Sequence, residues 1–107
     1  MTKTWKIHKR PKMGNKPKRV DDINFQSIRE ANYYISLKQW QKEGRVYMFL
    51  RQPMFDLGGG TTYRADFLVF WSTGIVEVID VKGHRTKSYI KAKKQVEALY
   101  PITVEER

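Results

Sequence analysis

The chain has 107 residues, a formal net charge of +10, 40% hydrophobic and 13% aromatic residues, and no cysteine. That length suits one domain around one modest core, and the composition excludes general disorder, disulfide staples, thiol catalysis and Cys-based zinc or iron–sulfur sites. No apolar run approaches the roughly 20 residues that span a bilayer, and the basic start lacks an apolar signal core, so a soluble intracellular protein is expected.

The charge is unevenly placed. Residues 1–20 carry Lys3, Lys6, Lys9, Arg10, Lys12, Lys16, Lys18 and Arg19 with no acid, which leaves +2 for the rest of the chain. Pro11, Gly14 and Pro17 forbid a regular helix there. Residues 1–20 therefore read as a flexible basic arm and 21–107 as the folded domain. A polycationic arm suits phosphate contact or steering toward nucleic acid, through Lys9, Arg10, Lys12, Lys16, Lys18 and Arg19. The duller reading is a solubilising tail, and Trp5 and Ile7 could dock on the domain or a partner.

Helical spacing starts near Asn24 or Ser27 and stops before Gly44. Ile28, Ala31 and Ile35 form a core stripe, with Tyr34 and Leu37 on one flank. Glu30 falls between Tyr34 and Leu37 on that apolar flank, where a carboxylate is costly unless paired or metal-bound. Arg45 to Leu57 is β-rich, but Pro53 implies an edge strand, a bulge or two short pieces. After the glycine turn at 58–60, Tyr63 to Trp71 and Ile75 to Val81 read as strands buried on both faces, joined at Ser72 to Gly74. From Thr86 or Ser88 to Leu99 the period is again helical, with Tyr89, Ala92, Val96 and Leu99 on the core side and Lys87, Lys91 and Lys94 as a basic stripe. Pro101 stops that helix, and Ile102 and Val104 suggest a last strand. The order predicts an α/β domain with helices covering a small mixed sheet.

The chemistry concentrates at Asp66, inside an apolar strand, and at Asp80-Val81-Lys82, ending the next. Asp80 and Lys82 share one strand face. Mg²⁺ or Mn²⁺ suits oxygen donors and retains waters, so Asp66, Asp80 and the Val81 carbonyl could hold one ion, with Glu30 adding a ligand directly or through water. Lys82 could then orient the attacking water and balance phosphate charge, as base or as electrostatic stabiliser. Singly, each residue has a structural explanation: Asp66 a satisfied buried acid, Asp80 and Lys82 an ion pair, Glu30 the partner of an arginine. In combination they point to a metal-dependent nuclease. His84, Arg85, Arg64, Lys87, Lys91 and Lys94 are further candidates for contact with nucleic acid. Tyr33, Tyr34 and Trp40 read as packing residues.

The segments SIREANYYISLKQWQKEG, YRADFLVF, EVIDVKG and the lysine-rich helix leading to EALYPI resemble the PD-(D/E)XK nuclease superfamily. Within it, they are similar to a small phage- and prophage-encoded family resembling Holliday junction resolvases. The resemblance spans about Ser27 to Val104 and implies a restriction-endonuclease-like core of helix, three-stranded meander, helix and strand. It assigns the helix acid to Glu30, the strand acids to Asp66 and Asp80, and the lysine to Lys82. Ala65 stands where the nominal proline would be. The implied activity is Mg²⁺- or Mn²⁺-dependent hydrolysis of DNA, leaving 5′-phosphate and 3′-hydroxyl ends, on branched substrates and as a homodimer in a bacterial cytoplasm. A nicking or replication-associated nuclease and a non-catalytic DNA-binding accessory protein remain the alternatives.

Overall fold

In the computed structural model, which describes residues 17–82 and 84–107, the first element is a hairpin that periodicity did not predict. Strands Lys18–Val20 (β1) and Ile23–Phe25 (β2) pair antiparallel around Asp21 and Asp22, whose φ angles are 52° and 61°. Two central residues with positive φ make the turn type that matches strand twist, and aspartate tolerates that conformation better than most residues. Lys18 and Arg19, read from sequence as part of the basic arm, belong to strand β1.

Helix Ile28–Lys42 (α1) starts at Ser27, whose Oγ accepts the Glu30 N–H at 3.1 Å. It buries Glu30, Ala31, Tyr34 and Leu37, whereas Ile28 and Ile35 are exposed. The core face is therefore turned from the expected stripe to its flank. At about 100° per residue, Glu30 lies near the middle of the buried arc. The reason is what α1 packs against: Phe25, Phe49, Phe67 and Trp71 draw its aromatic side, Tyr33, Tyr34 and Trp40, inward.

The β-rich stretch around Pro53 is two strands, Val46–Arg51 (β3) and Met54–Gly58 (β4). Between them Gln52 adopts a positive φ of 56°. β4 pairs with Thr61–Arg64 (β5) as a separate hairpin, so the expected strand 63–71 breaks at Ala65-Asp66 and resumes as Phe67–Trp71 (β6). Val76–Asp80 (β7) follows after a turn in which Gly74, at φ +96°, takes a conformation costly for other residues. Thr86 caps helix Lys87–Leu99 (α2), and Val104–Glu106 (β8) completes the sheet.

The four-stranded sheet has the order β3-β6-β7-β8, antiparallel except for the β7–β8 pair. Phe67, Val69 and Ile79 pack toward α1, while Val78 and Val104 pack toward α2 with Val96, Tyr63 and Ala65. The alternation places apolar side chains on both faces, as the continuous apolar runs implied. α2 is more lightly seated than expected: Val96 is fully buried, but Leu99 is 58% exposed. The architecture is α/β, with helices flanking a mixed sheet, consistent with a restriction-endonuclease-like core.

Candidate functional site

The antiparallel register pairs Phe67 with Ile79 and, continued by one residue, sets Asp66 opposite Asp80 at the open end of β6 and β7. Backbone bonds fix that end. Asp66 N–H donates to the Ile79 carbonyl at 3.1 Å, and Gln52 N–H donates to the Asp66 carbonyl at 2.9 Å. On the far side of β7, Arg107 N–H donates to the Asp80 carbonyl at 2.9 Å and Lys82 N–H to the Arg107 carbonyl at 3.2 Å.

The two carboxylates also tie the strands together. Asp80 Oδ1 accepts the Asp66 N–H at 3.1 Å, and Asp66 Oδ2 accepts the Val81 N–H at 2.7 Å. Tyr63 donates its hydroxyl to Asp80 Oδ2. Asp80 is only 1% exposed, so these bonds satisfy a carboxylate that burial would otherwise penalise. The reading of satisfied buried acids is thus partly realised. The two ion-pair readings are not: among the described residues neither Asp80 with Lys82 nor Glu30 with an arginine approaches within 4.0 Å. Lys82 Nζ instead lies over the Tyr89 ring, 4.4 Å from its centroid.

The acids sense one another. Burial, then the charge of Glu30 and more weakly that of Asp80, pushes the Asp66 carboxyl up to about 7, against the Val81 N–H and Lys82. Burial also raises Glu30, opposed by Arg51 first, then Lys82 and Arg64, while Asp80 adds to the rise. Burial and its bond to Asp80 raise the Tyr63 phenol, making it a fixed donor. Glu30 occupies the third helical position after Ser27, where a glutamate often bonds back to the cap. Among the described residues it makes no such bond, and its charge acts toward the strand ends instead.

Among the described residues, no three Asp, Glu or His side chains converge as a ready-made cage for a metal ion. A magnesium site does not require one: that ion commonly uses one or two carboxylates, keeps several waters and completes its shell with substrate phosphate. Asp66 and Asp80 as cross-strand neighbours fit that all-oxygen donor set. Each carboxylate oxygen that accepts one hydrogen bond keeps a second lone pair.

The remaining candidates scatter. Arg64 is exposed and, because the strand breaks after it, no longer shares a strand with Asp66, though its charge still reaches Glu30. His84 is exposed, and Arg85 is held by Glu106 at 3.2 Å. Lys87, Lys91 and Lys94 lie exposed along α2. Lys18 donates to Asn32 at 3.0 Å and Arg19 pairs with Asp22 at 3.2 Å. Lys9, Arg10, Lys12 and Lys16 lie outside the described residues. A cavity of about 570 Å³ sits elsewhere, around the Trp71–Ile75 turn. Sequence reasoning gave Tyr63 and Arg51 no role at this end of the sheet and read Tyr89 only as a core residue; only a charge closing an apolar strand, in Arg51, gave a signal comparable to Asp66.

An α/β domain with two carboxylates and a lysine at the ends of adjacent central strands has a fold resembling those of nucleases. The chain belongs to the family described as "protein of unknown function (DUF1064)", whose profile matches residues 10–105. No curated protein matches it. Among the described residues, no helix is long and apolar enough to cross a membrane.

Proposed function

We propose that this protein is a Mg²⁺- or Mn²⁺-dependent DNA endonuclease, selective for branched DNA such as Holliday junctions and acting as a homodimer in a bacterial cytoplasm. The observation that carries the reading is the cross-strand pair Asp66 and Asp80, with Lys82 two residues on and the buried Glu30 near enough to raise the Asp66 carboxyl while the Lys82 charge opposes the rise of Glu30 itself. Asp66 and Asp80 would hold the cation, with the Val81 carbonyl as a further ligand and Glu30 acting directly or through water. The bound ion would supply polarisation of the phosphate and an acidified water. Tyr63 holds Asp80 in orientation, and the Tyr89 face holds the Lys82 ammonium within the same cluster. Lys82 supplies positive charge to an attacked phosphate, whose products would be 5′-phosphate and 3′-hydroxyl ends.

Branched-DNA selectivity and the dimer follow from the family resemblance and from the need for paired incisions at a junction. The basic arm supports a second reading, a DNA-binding accessory protein without catalysis, which predicts salt-dependent binding and no cleavage with either metal. The test is cleavage of an end-labelled four-way junction and a matched linear duplex with Mg²⁺, Mn²⁺ or EDTA. Paired, metal-dependent cuts in the junction are expected. Equal cutting of both DNAs would remove junction selectivity but keep the nuclease.

A further inference from the structure

Arg51 closes β3 opposite Phe67, the residue after Asp66. Its successor, Gln52, is bolted to Asp66 through the 2.9 Å backbone bond, so the guanidinium is anchored at the same end of the sheet as the acids. Phe25, 1% exposed, lies beneath it, with Cζ 4.9 Å from the ring centroid. Arg51 Nε is buried and, among the described residues, is the one buried side-chain nitrogen or oxygen without a hydrogen-bond partner. Arg51 also takes part in none of the ion pairs between described residues. It nevertheless stands close enough to Glu30 to be the foremost charge opposing the rise of that carboxyl.

The contact with the Phe25 face offsets burial of the charge but not of the empty donor, because an aromatic ring favours the cation without accepting its Nε–H. A buried donor of this kind needs an acceptor to justify its desolvation. The fork of an arginine matches the paired oxygens of a phosphate. Lys82 and Arg64 add positive potential around the same carboxylate.

We propose that Arg51 is a phosphate-binding residue of the site, its Nε–H and one Nη–H donating to two oxygens of a nucleic-acid phosphodiester. The ligand's identity rests on the nuclease reading, whereas the anion site does not.

The test uses the full chain in EDTA, so that binding is read without turnover. Arginine Nε–H signals are followed by ¹⁵N–¹H spectroscopy during titration with inorganic phosphate at constant ionic strength, with chloride as control. The Arg51 signal, assigned by its loss in Arg51→Lys, is expected to shift saturably with phosphate and not with chloride. Arg51→Lys, which keeps the charge but loses the fork, should weaken binding of a labelled DNA junction by about tenfold. An Arg51 signal that phosphate leaves unmoved would overturn the proposal, as would equal DNA binding by wild type and a folded Arg51→Lys. Should the variant not fold, the Arg51 Nε–H signal is assigned in the wild type by through-bond correlation to its own backbone, and the wild-type titration decides alone. A positive result with a wild type that never cleaves DNA would keep the anion site and reject the nuclease.

Discussion

Asp66 carries a pH consequence that can be measured without any substrate. In the unfolded chain its carboxyl titrates near 3.8, and burial beside Glu30 pushes it to about 7 in the fold. The folded state therefore binds an extra proton between these values, and stability falls as pH rises through that window. Asp66→Asn removes this contribution. The variant should exceed wild type in urea-unfolding stability by roughly 2–4 kcal/mol at pH 8 and by nothing near pH 3. Parallel pH profiles would show that Asp66 ionises as an ordinary carboxylate. If the acids hold a cation, Mg²⁺ at pH 8 should restore stability to wild type and much less to Asp66→Asn. Asp66 and Asp80 were legible in sequence because a charge inside an apolar strand stands out. Tyr63 was not, since its role depends on Asp80, 17 residues later, coming within reach of its hydroxyl.

At the scale of elements, burial separates residues that look alike in sequence. Leu37 in α1 is fully buried, while Leu99 in α2 is 58% exposed. Leu37→Ala should cost about 2–5 kcal/mol, and Leu99→Ala should stay within about 0.5 kcal/mol, both read from chemical denaturation. Similar losses would mean that α2 is seated as deeply as α1. Both helices and the strands β3, β6, β7 and β8 were legible from periodicity. The face of α1 was not, because period alone places Ile28 and Ile35 as plausibly inward as Tyr34 and Leu37. The aromatic side won because Phe25, Phe49 and Phe67 wait there. Phe25 arrives through the β1–β2 hairpin, whose Asp-Asp turn is a weaker signal than Asn-Gly or Asp-Gly. Pro53 marked the end of β3, but the pairing of β4 with β5 depended on a break at Ala65 that no proline or glycine announces.

At the scale of the molecule, sheet order sets Asp66 and Asp80 on adjacent strands at one end of the sheet, and Glu30 on α1 is near enough for its charge to raise the Asp66 carboxyl. The charge distribution is separate from this arrangement. Residues 1–16 hold six of the cations, Lys3, Lys6, Lys9, Arg10, Lys12 and Lys16. Deleting them while keeping β1 should weaken DNA binding and flatten its dependence on salt, measured by fluorescence anisotropy across salt concentrations. An unchanged slope would place the phosphate contacts on the folded domain alone.

The most direct test of the account compares wild type with Asp80→Asn and Lys82→Ala, cutting an end-labelled four-way junction in Mg²⁺ at matched DNA occupancy. Metal-dependent cleavage by wild type, abolished in both variants while much of the binding remains, is the predicted result. Cleavage undiminished by either substitution, or none by wild type with Mg²⁺ or Mn²⁺, would contradict it.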